Sequence, residues 1–81
     1  MTKEIGEYIL TVTEVEGIVL VSIMEFNNTK MKETYYTYDG DIGIFKYLSD
    51  SNLIKLCTKL LEKPAHSKFK IKLGIDIDCV V

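Results

Sequence analysis

Side chains that could do chemistry are few in this chain of 81 residues. The one His, His66, stands in the loop segment Pro64-Ala65-His66-Ser67. A nucleophile–base pair would need a Cys or Ser held beside it. Cys57 falls among apolar residues at helical spacing, and Cys79 falls in an alternating strand pattern. Both read as small core hydrophobes rather than reactive thiols. These three residues are too scattered for the close ligand set of a structural zinc site. Asp39-Gly40-Asp41-Ile42-Gly43 places two carboxylates in a Gly-rich loop. An EF-hand loop needs a third oxygen ligand and a distal bidentate Glu, and neither is in register. No Gly-Lys-Ser/Thr follows to make a phosphate loop, so the segment reads as a solvated turn. The expectations are no catalytic residue, no metal site, no cofactor and no enzyme activity.

Asp76 and Asp78 close an apolar strand pattern, Leu73-Gly74-Ile75-Asp76-Ile77-Asp78. A strand ending in Asp-x-Asp resembles the first motif of haloacid-dehalogenase-type phosphatases. That resemblance implies a nucleophile for the first Asp and a general acid for the second. The residue after the second Asp is Cys79, where the motif has Gly. The other motifs of that family do not follow, so no catalytic role is carried over. The two carboxylates instead read as groups that keep an exposed edge strand soluble.

Charge is divided along the chain. Residues 1–45 hold three Lys and eight acids, whereas residues 46–72 hold seven Lys and two acids. The whole carries a formal charge of -2, too mild for a general polyanion binder. All ten basic residues are Lys. The missing Arg is the residue best shaped for bidentate phosphate contacts. Aromatics beside Lys can nonetheless stack bases and neutralise phosphates. Tyr35, Tyr36 and Tyr38 with Lys55, Lys59, Lys70 and Lys72 are the residues for such a surface.

The elements that must position these groups are read from periodicity. Residues 5–15 predict a strand, and Glu16-Gly17 a tight turn. Residues 18–26 are apolar on both faces, as in a central strand or one covered on both sides. After a turn at Asn27-Asn28-Thr29-Lys30, residues 31–38 predict a third strand rich in Thr and Tyr. Ile44 to Leu48 suggests a short helical turn. Leu53, Ile54, Leu56, Cys57, Leu60 and Leu61 form one apolar stripe, which predicts a helix over residues 50–62, capped by Ser49 or Asp50 and stopped by Pro64. Phe69, Ile71, Leu73, Ile75, Ile77, Cys79 and Val81 then alternate with polar or small residues. That alternation predicts one strand of roughly 40 Å, about twice the usual length. Either Gly74 marks a bulge or bend, or the strand overhangs its sheet and pairs with another chain. The expectation is one α+β domain over residues 1–81, in the order β-β-β-α-β. Its four-stranded, mostly antiparallel sheet carries the helix on one face.

No apolar run approaches the ~20 residues of a membrane span, and the first residues lack a signal-peptide pattern, so a cytoplasmic protein without membrane contact is expected. The leading functional expectation is a non-catalytic protein-interaction module that binds another protein or itself. Its interface would be the edge strand at Ile75, Asp76, Ile77, Asp78 and Val80. Small size and an Ile- and Lys-rich composition fit an accessory or inhibitor protein of a phage or mobile element. The alternative is a nucleotide or single-stranded nucleic-acid binder that uses the Tyr and Lys surface.

Overall fold

The computed structural model describes residues 1–27, 30–72 and 76–79. Its elements are β1 (Thr2–Ile5), β2 (Tyr8–Val15), β3 (Ile18–Asn27), β4 (Lys30–Tyr38), a 3-10 helix (Ile42–Lys46), α1 (Asp50–Leu61), β5 (Lys68–Ile71) and β6 (Ile77–Cys79). The strands form one six-stranded sheet in chain order, β1 to β6. Neighbours are antiparallel except β4 and β5, which pair in parallel at Thr37–Lys68 and Tyr38–Phe69. The parallel step is the one place where a helix separates consecutive strands, because α1 carries the chain back along the sheet before β5 begins.

The expected four-stranded order is therefore corrected at both ends. The predicted strand over residues 5–15 is two strands. Gly6 takes φ +57°, a left-handed conformation that suits Gly, and the chain turns between Ile5 and Tyr8. The reversal shifts parity, so Ile5 joins Leu10 and Val12 in the core instead of opposing them. The predicted single strand over residues 69–81 is also two. Phe69 pairs with Cys79 and Ile71 with Ile77, so the chain reverses between Lys72 and Asp76. Odd-numbered residues pair with odd-numbered ones in this hairpin, so the period-two pattern runs on through the reversal. That is why the alternation looked like one long strand. Leu73, Gly74, Ile75, Val80 and Val81 lie outside the described residues, as do Asn28 and Thr29.

The middle of the chain follows its pattern closely. Glu16 and Gly17 both have positive φ, 52° and 80°, as a two-residue hairpin turn between β2 and β3 requires. The 3-10 helix is capped by Asp41, whose carboxylate accepts from the Gly43 N–H at 2.8 Å. Ser49 caps α1, accepting from the Asn52 N–H at 3.2 Å. The buried stripe of α1 is Leu53, Leu56, Cys57 and Leu60, with Ile54 and Leu61 partly buried beside it. These side chains meet one face of the sheet, supplied by Leu10, Val12, Val19, Val21, Ile23, Tyr36, Tyr38 and Phe69.

The sheet curls, and α1 lies across its open side against β1, β2 and β6. Ion pairs mark both edges: Lys3 of β1 with Asp50, and Lys59 of α1 with Asp76 just before β6. No helix among the described residues is long and apolar enough to cross a membrane.

Candidate functional site: the uncovered face of the sheet

The predicted edge-strand interface is only partly present as an edge. Ile77 and Asp78 belong to β6, an outermost strand of the sheet, and Asp76 immediately precedes it. Ile77 packs half-buried against the core. Asp76 pairs with Lys59 at 3.1 Å, and Asp78 lies 3.7 Å from Lys72. Both carboxylates thus face lysines of their own chain. Ile75 and Val80, also predicted to line this interface, lie outside the described residues.

The Tyr and Lys residues are not brought together on one surface. Tyr36 and Tyr38 are buried in the core, where Tyr36 meets Phe69 edge-on with ring centroids 6.5 Å apart and Tyr38 meets Phe45 at 5.0 Å. Neither ring is available to stack on a base. Successive strand residues face opposite sides, so only Tyr35 of this group points outward. Lys70 lies 3.6 Å from Asp39, while Lys59 and Lys72 meet Asp76 and Asp78. Lys55 stands exposed on α1. Three of the seven lysines of the middle segment, Lys59, Lys70 and Lys72, thus face carboxylates of the same chain.

The other chemically capable groups stay apart. Burial pushes the Cys57 thiol up to about 12, far from a thiolate at neutral pH. His66 takes φ 67°, and its N–H donates to the Tyr35 carbonyl at 2.7 Å, stitching the loop after α1 to β4. With Lys32, Glu33 and Lys63 it lines a shallow groove of about 320 Å³. No three His, Cys, Asp or Glu side chains converge among the described residues.

The feature that periodicity alone did not locate is the face of β2, β3 and β4 turned away from α1. Register places Ile9, Thr11, Thr13 and Val15 of β2 on it. Ile18, Leu20, Ser22, Met24 and Phe26 follow from β3, and Met31, Glu33, Tyr35 and Thr37 from β4. Glu33 is the one charged residue among them. No described element covers this face. Its exposed large apolar side chains run from 38% at Leu20 to 67% at Met31, with Val15, Ile18, Phe26 and Tyr35 between, while Ile9 and Met24 are half-buried. Two apolar clusters result, one at the β2–β3 turn (Val15, Ile18, Leu20) and one at the far end of β3 (Phe26, Met31).

A polar group separates them. The Ser22 hydroxyl donates to Glu33 Oε2 at 2.8 Å, and the Tyr35 hydroxyl donates to Glu33 Oε1. The Tyr35 and Ser22 hydroxyls hold the Glu33 carboxyl below the usual carboxylate range. The same contact raises the Tyr35 phenol. The charge of Glu33 is thereby hydrogen-bonded within the chain. The signal in the sequence was the run Ile18–Phe26, apolar on both faces and read as consistent with double coverage. The structure supplies a helix for one face only. A comparison with known proteins finds no matching family model, no matching curated protein and no matching solved structure.

Proposed function

We propose that the chain is a non-catalytic protein-interaction module, and that its working surface is the outer face of β2, β3 and β4. The single observation that carries this reading is the apolar, nearly uncharged character of that face. Large apolar side chains exposed together on one face mark contact surfaces, and interface centres are depleted of charge. The reading moves the contact from the edge strand around Ile77 to the sheet face. Separation of the Tyr rings and pairing of the lysines leave the nucleic-acid alternative without a supporting observation. A role as a phage or mobile-element accessory protein rests on size and composition alone.

The reading is tested by native mass spectrometry of the chain gently recovered from its own cells. The wild type is expected to carry a bound polypeptide, either another copy or a different protein. Leu20→Lys with Met31→Lys should lose it, and Lys55→Glu on the far side of α1 should keep it. A wild type recovered as the bare 9.3 kDa chain overturns the reading. So does an outer-face variant that retains the same bound mass.

A further inference from the structure

We infer that the occupant of the outer face is a second copy of the chain, packed sheet to sheet about a two-fold axis that crosses β3 at Ser22. The inference rests on the reading of this face as an interface and adds the identity of the partner. Three observations carry it.

The first is area. Val15, Ile18, Leu20, Phe26, Met31 and Tyr35 together present roughly 650 Å² to solvent, scaled from their fractional exposure. Each partner in a standard interface buries about 800 Å², apolar and polar surface together. The half-buried Ile9 and Met24 and the Thr residues beside them bring the face to the size of one side of a stable dimer.

The second is self-match. Register puts Leu20, Thr37 and Lys68 at one level of the sheet and Met24 with Glu33 at another. Ser22 and Tyr35 lie midway. A two-fold axis running across the strands at Ser22 exchanges the two levels. It seats Ile18 of one copy over Phe26 of the other, and Leu20 over Met24. Tyr35 meets its own counterpart at the axis. Sheets packed face to face lie about 10 Å apart, within reach of these side chains.

The third is charge. The same rotation carries the exposed Lys68 of each copy to the level of Glu33 in the other, one strand away. The one acid on the face therefore meets an opposite charge at the rim rather than its own image. An isologous interface has to be complementary to itself in this way.

Sedimentation equilibrium of the purified full chain tests the proposal. Through the micromolar range, the wild type is expected at twice the 9.3 kDa mass. Ile18→Lys and Phe26→Glu should each weaken the dimer at least ~10-fold while the circular dichroism spectrum is retained. Their equimolar mixture should recover a one-to-one heterodimer, because the axis stacks the two substituted positions on each other. Should either variant fail to fold, Met31→Glu at the most exposed of these positions gives the same reading of dimer strength. A monomeric wild type overturns the proposal. A dimer indifferent to these substitutions does so too, as does a mixture that stays monomeric. If the purified wild type is monomeric while the complex from cells still depends on Leu20 and Met31, the second copy is wrong and the interaction surface stands. If neither depends on the outer face, both fall.

Discussion

Glu33 shows how one side chain can sit on an apolar face without being forced to neutralise. Both its carboxylate oxygens accept hydrogen bonds, from the Tyr35 and Ser22 hydroxyls. Those bonds favour the charged form and hold the carboxyl below its usual range. The sign of the resulting pH dependence follows. A carboxyl whose folded value lies below its unfolded value, about 4.3 for Glu, contributes stability above that value. The contribution is lost as pH falls through the lowered range. Urea unfolding at neutral pH is therefore expected to find Glu33→Gln less stable than the wild type. The gap should close on acidification as the Glu33 carboxyl takes up its proton, below the usual Glu range. A gap independent of pH contradicts this account. Tyr36, next in the chain to Tyr35, does the opposite job in the core. The adjacent tyrosines look like one aromatic cluster in the sequence, and the pleat sends their rings to opposite sides of the sheet.

At the scale of elements, the link from β4 into the 3-10 helix is where local geometry is tightest. Tyr38 closes β4, and its ring lies between Phe45 and Phe69, at 5.0 and 5.2 Å between centroids. Gly40 lies against the hydroxyl end of that ring: a Cβ added there would fall 2.7 Å from Cζ and Oη of Tyr38. The ring is held by its neighbours, so neither side has room to give. Gly40→Ala is expected to cost about 1–3 kcal/mol in chemical denaturation, the range for forcing atoms into a packed site. A cost near zero would mean that Tyr38 moves freely, against the packing described. Gly17, at φ +80° with nothing within 4 Å of its added Cβ, is constrained by backbone conformation alone. The two glycines are kept for different reasons, and only the turn at Gly17 announces its reason in the sequence.

For the molecule as a whole, the arrangement follows from one helix serving a six-stranded sheet. A single apolar stripe on α1 can cover one side of the sheet, and it does so by spanning the open side of the curl. The ion pairs Lys3–Asp50 and Lys59–Asp76 join α1 to the first and last parts of the sheet, with all four side chains more than a third exposed. Solvent screening makes such pairs worth about 0–1 kcal/mol each. Lys59→Met is expected to shift unfolding by less than about 1 kcal/mol, and that shift should shrink in high salt. A loss well above about 1 kcal/mol that shrinks in high salt would move the weight of edge closure from apolar packing to electrostatics. By this reckoning Leu53, Leu56 and Leu60 hold the curl closed, and the charges set its alignment.

Much of this was legible along the chain. The helix, its Ser49 cap and its buried stripe follow from residues at helical spacing, and the hairpin at Glu16-Gly17 follows from turn chemistry. These are local interactions, settled within a few residues. The reversals at Gly6 and between Lys72 and Asp76 were hidden, the latter because its hairpin preserves parity and leaves the alternation intact. The run Ile18–Phe26 likewise showed that both faces of β3 are apolar. It could not show that only one would be covered. Composition and periodicity determined an α+β chain with one amphipathic helix and a sheet to receive it. Only the tertiary structure decided where β5 would dock, which tyrosines would be buried, and that an apolar sheet face would be left facing water. Those outcomes depend on how far one helix can reach across six strands, a distance in space that no local spacing encodes.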